Sequence, residues 1–499
     1  MIFPDRGPPQ YNSRSRFPLG CILGIALVLR ILLPLLGYLF THDRTIFYAG
    51  DSEQYLVPAN ELIASHRFFS DGSQPARAWN WPINPAPEVL RTPGYPLLLA
   101  VGLLSGHVEA TTIACQILLS CLTVYIVYLT VGLLFENEWT ALAAGALYAA
   151  EPSAILFSSL ISSEALFTSI FMIGIYYLAK YIRRGALTNL GIAGGALGVS
   201  EYVRPAGYFL PLIIAIAMGA WAFAAGCKHK HRVLAQFSAF VLIPLVLVVP
   251  WRIRNKIETG YSGFSSIFTQ DMYCNVAASV VAAQRHISYR EMQDRMGCYD
   301  LAVYFEDHPG QIHWSLRRIL DYQRDRTVRI FLLDPVTFAK IYLAGVVRGV
   351  FDPLSTEYVR FFDLYPKQGG LLETAVDQGV VKTLQAMFRN KLLAWSTMIL
   401  LLVHFVYLSG ASIGLCKSSI RDPAVLLMIV AVGYYLALPG GPSDWGRYRH
   451  PAMPLICVFA GYGVRLAGER ISSHRGKTAT PMQRPLSGAE QSCQSQTCL

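Results

Sequence analysis

The chain has 499 residues, of which 53% are hydrophobic and only 15% are charged, and its formal net charge is +10. Ordinary soluble domains carry about a quarter charged residues, so the composition argues against a soluble enzyme. A disordered chain would need low hydrophobicity and high charge, and is excluded as well. No basic stretch interleaved with aromatic residues stands out, so we expect no nucleic-acid partner.

The apolar segments predict an all-α polytopic membrane protein with about ten spans. A bilayer core of about 30 Å needs roughly 20 apolar residues in a helix. The first segment, Phe17–Phe40, is too long for a signal-peptide core and shows no convincing cleavage site, so we expect an uncleaved anchor. The other nine candidates are Val108–Phe135, Thr140–Phe157, Leu160–Ile182, Ala186–Ser200, Ala206–Ala225, Val233–Pro250, Leu392–Leu415, Pro423–Leu438 and Ala452–Ala467. Small residues across Gly191–Gly198 favour close helix packing.

Short basic loops orient these spans, because cytoplasmic loops carry an excess of lysine and arginine. The pairs Arg14/Arg16 and Arg183/Arg184 and three later basic groups fall on one side, which places both termini in the cytoplasm. We therefore expect residues 1–16 to be a cytoplasmic segment, residues 17–470 a transmembrane catalytic domain, and residues 471–499 a mobile cytoplasmic tail. Three hydrophilic segments then lie outside: a first loop (residues 41–92), a long loop (residues 251–391) and a short loop (residues 439–451).

The long loop contains one further helix signal. Asp334-Pro335 is typical of a helix start, with Asp as the N-cap and Pro at the first helical position. The following residues to Val350 are apolar except for Lys340 and Arg348, so we expect a helix in the membrane interface, with an eleventh span as the alternative. Cys274 and Cys298 share this loop, so a disulfide is possible in an oxidising compartment.

Ionisable residues concentrate at the predicted outer ends of the spans. The first loop opens with Gly50-Asp51-Ser52-Glu53-Gln54-Tyr55 and closes with Arg91-Thr92-Pro93-Gly94-Tyr95-Pro96. The same side collects Glu151, Glu164, Glu201, Arg204, Arg252, Arg254, Asp444, Arg447 and Arg449. Charged groups at membrane depth are costly and usually line a cavity. Snorkelling arginines are the alternative, but so many motifs on one side favour a shared polar cavity.

Carboxylates beside arginines at a lipid boundary suit group transfer from a lipid-linked anionic donor. Arginine binds phosphate oxygens with two parallel hydrogen bonds and stays protonated. A carboxylate can take the proton of an acceptor hydroxyl as a general base. This chemistry requires no metal and no cofactor, and no Walker loop or GxGxxG motif indicates a nucleotide.

The ordered motifs GDSEQY, RTPGYPLLLA, EPSAILFSSLISSEALF, VRP, PWRIRN and GRYRHPAMPL resemble the GT-C class of membrane glycosyltransferases. The resemblance is closest to the bacterial branch that contains the lipid A aminoarabinose transferases and relatives of the protein O-mannosyltransferases. It runs from about Arg14 to about Ala467. It implies a GT-C-like fold, a polyprenyl-phosphate-sugar donor, inversion at the anomeric carbon, and an active site on the outer face of the cytoplasmic membrane.

The resemblance also suggests roles for individual residues. Asp51 matches the acidic residue of the first loop, which in the family is the proposed base or acceptor-orienting group, and Tyr55 matches the tyrosine four positions later. Many relatives have Asp-Glu at this point, whereas this chain has Asp51-Ser52-Glu53, so Glu53 is a secondary catalytic candidate. A helix places Asp51 and Tyr55 on one face, whereas an extended strand pairs Asp51 with Glu53. Pro58 disfavours a continuous helix here.

The remaining candidates are expected to bind substrate. Arg91 matches the family arginine before the PGYP turn and Glu164 the glutamate that opens the next outer helix, and the phosphate ligands are expected among Arg204, Arg254, Arg447 and Arg449. Tyr448 could pack against lipid, and His450 is expected to be an interfacial histidine.

Two other functions explain the same spans and the same basic cavity. A flippase for a lipid-linked sugar would favour internal repeats and broken helices near the midplane, and no repeat is evident. A polymerase or ligase of lipid-linked glycans would use the same arginine chemistry. The expected partners are a polyprenyl-phosphate sugar, membrane lipids, and a lipid, polysaccharide or protein acceptor.

Overall fold

The computed structural model describes residues 16–70, 86–299, 301–366, 371–438, 440–442 and 445–478, and these residues are mostly helical. The helices of the first half are α1 (Arg16–Thr41), α2 (Glu53–Ser65), α3 (Gly94–Leu104), α4 (Val108–Phe135), α5 (Glu138–Ala149), α6 (Pro152–Ser159), α7 (Glu164–Arg184), α8 (Leu187–Val203), α9 (Leu210–Ala224) and α10 (Lys230–Thr259). Strands β1 (Phe69–Ser70) and β2 (Ala86–Pro87) pair antiparallel within the first loop.

The long loop is also helical. It contains α11 (Ile267–Asp271), a π-helix (Met272–Ala277), α12 (Ala278–Arg285), α13 (Tyr289–Arg295), α14 (Leu301–Asp307), α15 (Leu316–Leu333), α16 (Pro335–Phe351), α17 (Ser355–Phe361), α18 (Leu371–Asp377) and α19 (Gly379–Arg389). The chain then continues through α20 (Lys391–Lys417), α21 (Pro423–Ala437), α22 (Trp445–Arg449) and α23 (Met453–Thr478).

All ten predicted spans fall on helices, and the chain is a polytopic all-α membrane protein. In the part of the chain that the structure describes, seven helices are long and apolar enough to cross a bilayer, or up to nine if each of two bent pairs is one span. The predicted span Thr140–Phe157 is not one straight helix, because α5 and α6 meet at 49°. Glu151 caps α6 and Pro152 occupies its first turn, which ends the preceding helix.

The predicted small-residue stripe packs closely, as expected. It lies on α8, which contacts α10. A Cβ atom on Gly198 would lie 2.7 Å from Leu247 Cδ1 and 3.0 Å from Pro244 Cα. The two backbones approach because these positions carry no side chain. This contact fixes α8, whose C-terminal end leads directly into Arg204.

The long loop has a hydrophobic core of its own, built around Tyr273, Met292 and Tyr304. Cys274 and Cys298 form a disulfide inside this core, with a Cα–Cα distance of 5.6 Å. The predicted start of α16 is confirmed, because the Asp334 side chain accepts a hydrogen bond of 3.0 Å from the Thr337 backbone N–H. Helices α15 and α16 meet at 105°.

The described residues include the start of the predicted C-terminal tail. Helix α23 continues past Ile471, the predicted start of the mobile tail, and ends at Thr478. Residues 479–499 and residues 1–15 lie outside the described residues.

Candidate active site

A cavity of about 2110 Å³ lies between the helix bundle and the helices of the long loop. Its wall includes Asp51, Tyr55, Arg91, Arg204, Arg447 and Tyr448, together with apolar side chains such as Phe209 and Phe268. The predicted polar motifs from the first loop, the VRP turn and the short loop therefore meet in one place, and a mixed polar and apolar wall suits an amphipathic substrate.

The turn before α2 places Asp51. The buried Ser52 hydroxyl accepts a hydrogen bond from the Ala49 N–H (2.7 Å) and donates one to the Ile161 carbonyl (2.6 Å), which ties the turn to the bundle. Helix α2 begins at Glu53, which is exposed, whereas Tyr55 is buried. The stretch is therefore helical from Glu53 onward, Asp51 lies in the turn before the helix, and Glu53 and Tyr55 both line the cavity.

Helix α2 also runs through Pro58, so the expectation that this residue interrupts the helix is wrong. Pro58 and Ala59 are buried on the face that carries Tyr55, and α2 packs against α3. Burial of this face offsets the hydrogen bond that Pro58 cannot donate.

Five of the predicted site residues form one ion-pair cluster: Asp51, Arg91, Glu164, Arg204 and Arg447. Arg447 donates to both Asp51 oxygens at 3.1 Å and to Glu164 Oε1 at 2.8 Å through Nε. Arg204 forms an ion pair with the same Glu164 carboxylate. Arg91 reaches Asp51 Oδ2 at 3.3 Å and donates to the Tyr55 hydroxyl at 3.0 Å.

The cluster carries three guanidinium groups and two carboxylates, which leaves one positive charge. Glu164 is fully buried and is not among the described residues that line the cavity. Its negative charge therefore pairs with Arg204 and Arg447. The guanidinium groups that line the cavity can bind an anion, because arginine forks match the geometry of phosphate oxygens.

Asp51 is ionised in this setting. Burial by itself favours the neutral acid, but the positive charges of Arg447 and Arg91 outweigh it and hold the pKa of the Asp51 carboxyl below its ordinary value. A carboxylate that is ionised at neutral pH is able to accept a proton.

Two predicted phosphate ligands lie outside the cluster. Arg254 donates to the carbonyls of Glu88 (2.6 Å) and Phe68 (2.5 Å), and the Glu88 carboxylate accepts from the Arg91 N–H at 2.9 Å. Arg254 therefore supports the strand region that leads into Arg91. Arg449 is buried and donates to carbonyls at the end of α16, Gly349 and Val350, at 2.9 and 3.1 Å.

Two aromatic assignments are corrected. The Tyr448 hydroxyl donates to Asp271 Oδ2 at 3.0 Å, and the Arg204 guanidinium lies 5.1 Å from its ring, so Tyr448 lines the cavity instead of packing against lipid. His450 is buried in the bundle, with Nδ1 2.9 Å from the Ser153 hydroxyl, and is not interfacial.

Sequence reasoning missed two contributors to the site. Gln54 accepts hydrogen bonds from Arg91 at 2.6 and 3.0 Å, and it belongs to the quoted GDSEQY motif. Asp271 contacts Tyr448 from the long loop, and no local pattern marked it.

Comparison with known proteins agrees with the predicted resemblance. Residues 91–253 match the model of the dolichyl-phosphate-mannose-protein mannosyltransferase family. The search of curated proteins returned no match. The structure is similar to the oligosaccharyltransferase AglB from Archaeoglobus fulgidus, solved with an inhibitory peptide and a dolichol-phosphate, with a TM-score of 0.51, 14% identity and 95% of this chain covered. The chain spans about half the length of that protein, 53%.

Two other glycosyltransferases match more weakly. The Pmt1-Pmt2 protein O-mannosyltransferase complex of S. cerevisiae gives a TM-score of 0.39 at 17% identity, with 54% of this chain and 36% of that chain covered. ArnT from Cupriavidus metallidurans, bound to undecaprenyl phosphate, gives 0.38 at 14% identity, with 91% and 81% covered. These scores lie below 0.5, so the fold assignment rests on the oligosaccharyltransferase.

Proposed function

We propose that this chain, which has the fold of the GT-C glycosyltransferases and is a multi-pass membrane protein, transfers a monosaccharide from a polyprenyl-phosphate donor to a hydroxyl acceptor. We further propose that the reaction takes place on the outer face of the cytoplasmic membrane and inverts the anomeric carbon. The observation that carries the proposal is Asp51, a carboxylate held between two arginines at the wall of a large cavity.

In the proposed reaction, Asp51 removes the proton from the acceptor hydroxyl while the hydroxyl oxygen forms a bond to the anomeric carbon. The bond between that carbon and the phosphate oxygen breaks, and its electron pair leaves with the polyprenyl phosphate. General-base catalysis of this kind contributes roughly 10²- to 10⁴-fold. Attack opposite the leaving group gives inversion.

The arginines of the cluster stabilise the leaving phosphate. Arg91, Arg204 and Arg447 all line the cavity, and the cluster has one excess positive charge. Electrostatic stabilisation is strongest where water is excluded, and the side chains of Arg91, Arg204 and Arg447 are only 10–16% exposed. Arg254 and Arg449 are not phosphate ligands in this proposal, because both donate to backbone carbonyls outside the cluster.

Two observations support a lipid-linked donor. Exposed apolar side chains, Phe209 and Phe268, line the same cavity as the arginines, so a charged head and an apolar chain can be held together. The oligosaccharyltransferase of similar fold was solved with a dolichol-phosphate, a donor-type lipid of this class.

The test uses purified full-length protein, a panel of radiolabelled polyprenyl-phosphate sugars, and total membrane extract as acceptor. Wild type is compared with Asp51→Asn, which keeps the side-chain volume. We expect label to move into a new species with wild type and at least 100-fold more slowly with Asp51→Asn. Equal transfer by both proteins would contradict the assignment of Asp51 as the general base.

The same assay separates the alternative functions. A flippase would bind the lipid-linked sugar equally in both proteins without turnover, and a reconstituted flipping assay would then detect movement. A polymerase or ligase would accept lipid-linked oligosaccharides and not single-sugar donors.

A further inference from the structure

Residues 446–449, which include Arg447, form hydrogen bonds with the long loop. The contacts include hydrogen bonds from Gly446 N to Asp352 Oδ2 (2.9 Å), from the Tyr448 hydroxyl to Asp271 Oδ2 (3.0 Å) and from Arg449 NH1 to the Gly349 carbonyl (2.9 Å). Arg447 is the member of this segment that points into the ion-pair cluster. The position of its guanidinium therefore depends on a part of the chain that contributes no residue to the cluster.

Asp352 contacts Gly446, the residue directly before Arg447. Its Oδ2 accepts from the Gly446 N–H, and its Oδ1 accepts from the Leu354 N–H at 2.9 Å, so one carboxylate joins two turns. Leu354 has a φ of +59°, a left-handed conformation that leucine rarely adopts. Such a conformation persists where surrounding contacts enforce it, and the bond to Asp352 is one of them.

The fit at this point leaves no room for a side chain. A Cβ atom on Gly446 would lie 2.5 Å from Leu354 Cδ2 and 3.0 Å from Asp352 Oδ2. A side chain at 446 would therefore displace the Leu354 side chain or the Asp352 carboxylate, and a displaced Asp352 turn would shift the residue next to Arg447.

Helix α16 aligns with the chain that leads into this segment. The Tyr342 hydroxyl donates to the Ala437 carbonyl at 2.9 Å, and a Cβ on Gly345 would lie 2.2 Å from the Gly441 nitrogen. Arg449 then donates to the carbonyls at the C-terminal end of α16, which attract a cation. Helix α16, for which the sequence predicts a place in the membrane interface, therefore also positions the short loop.

We propose that Asp352, which also lines the cavity, is a positioning residue: it holds Gly446 so that the Arg447 guanidinium reaches Asp51, and its effect on the donor site depends on Arg447. This inference rests on the proposed function. A misplacement of about 1 Å can cost about 100-fold in rate. Loss of the Asp352 carboxylate should therefore displace the Arg447 guanidinium and slow transfer, although Asp352 is not in the cluster.

The first test is a double-mutant cycle of Asp352→Ala and Arg447→Gln, with Asp325→Ala, an exposed acid of the same loop, as the matched control. Binding of undecaprenyl phosphate and sugar transfer are both measured. We expect Asp352→Ala to weaken binding about 10-fold in wild type and less than 2-fold in the Arg447→Gln background, with partial recovery in Asp352→Glu. Equal weakening in both backgrounds would overturn the proposal, because a merely structural role is additive.

The second test needs no ligand. Hydrogen–deuterium exchange of peptides covering residues 445–449 should be at least 10-fold faster in Asp352→Ala than in wild type or Asp325→Ala. Unchanged exchange would also overturn the proposal. If wild type neither binds undecaprenyl phosphate nor transfers sugar, the proposed function fails, and the exchange experiment still decides whether Asp352 holds this segment.

Discussion

Arg447 donates to both carboxylate oxygens of Asp51 at 3.1 Å, although the two residues are 396 positions apart in the chain. The same guanidinium contacts Glu164 on α7. The candidate base and its main cationic partner thus come from opposite ends of the chain and meet only when the whole bundle is assembled.

Substitutions of Asp51 and Glu53 should differ sharply in their effect on sugar transfer. Asp51→Asn removes the ionised carboxylate from the cluster, so we expect transfer to fall at least 100-fold. Glu53→Gln alters an exposed side chain outside the cluster, so transfer should stay within about 3-fold of wild type. Initial rates with the lipid-linked sugar measure both. A large loss in Glu53→Gln together with full activity in Asp51→Asn would reverse the assignment.

Substitutions of Arg447 and Arg449, the two arginines of the short loop, should also have different effects. Arg447→Lys keeps the charge but loses the fork that binds Asp51 and Glu164, so we expect transfer to fall about 10- to 100-fold. Arg449→Lys keeps a donor for the α16 carbonyls, so transfer should fall less than in Arg447→Lys. The main effect of Arg449→Lys should be a lower unfolding temperature. Thermal unfolding and transfer rates are compared for both variants. A greater loss of transfer in Arg449→Lys would contradict this division.

The pH dependence of kcat/KM should report Asp51. The lowered pKa keeps the carboxylate ionised at and above neutral pH, so activity should fall only when the pH drops below the ordinary aspartate pKa of about 3.9. Arg91→Gln removes one of the two stabilising cations while burial remains, so the pKa rises and the acidic limb should move up by about one pH unit or more. Glu53→Gln serves as the control, and an unmoved limb in Arg91→Gln would refute the electrostatic account.

The disulfide should stabilise the long loop locally. Cys274 and Cys298 close a loop with a sequence separation of 24, and a loop of this size contributes about 3 kcal/mol to the free energy of unfolding. Cys274→Ser, or reduction of wild type, should therefore speed limited proteolysis within residues 251–391. Cys21→Ser, which replaces an exposed free cysteine, is the matched control. Identical digestion rates for all three proteins would show that the bond contributes nothing measurable.

The glycine stripe of α8 offers a paired test of helix packing. Gly198→Ala places a methyl group 3.0 Å from the backbone of α10 and should destabilise the protein by about 1–3 kcal/mol. Gly195→Ala meets nothing within 4 Å and should be neutral or slightly stabilising, because alanine favours the helix. Thermal unfolding in detergent compares the two, and equal shifts would refute the close-packing interpretation.

Local signals in the sequence were sufficient where one element decides the outcome. Asp334-Pro335 predicted the start of α16 because an N-cap acts within a single turn. The break at Glu151-Pro152 was carried by an equally local signal, yet the apolar composition around it suggested one continuous span. Composition reports burial in lipid and is insensitive to a bend of the axis.

The sequence by itself determined the membrane class, the positions of the apolar helical segments and the set of polar motifs that meet at one end of the bundle, because apolar length and the cost of buried charge are properties of short segments. Only the tertiary structure decided which members of that set are partners. Arg447 and Arg449 lie in the same RYR motif, and one binds Asp51 while the other caps α16. Their difference arises from contacts hundreds of residues away, since the position of a guanidinium is fixed by what the folded chain brings next to it.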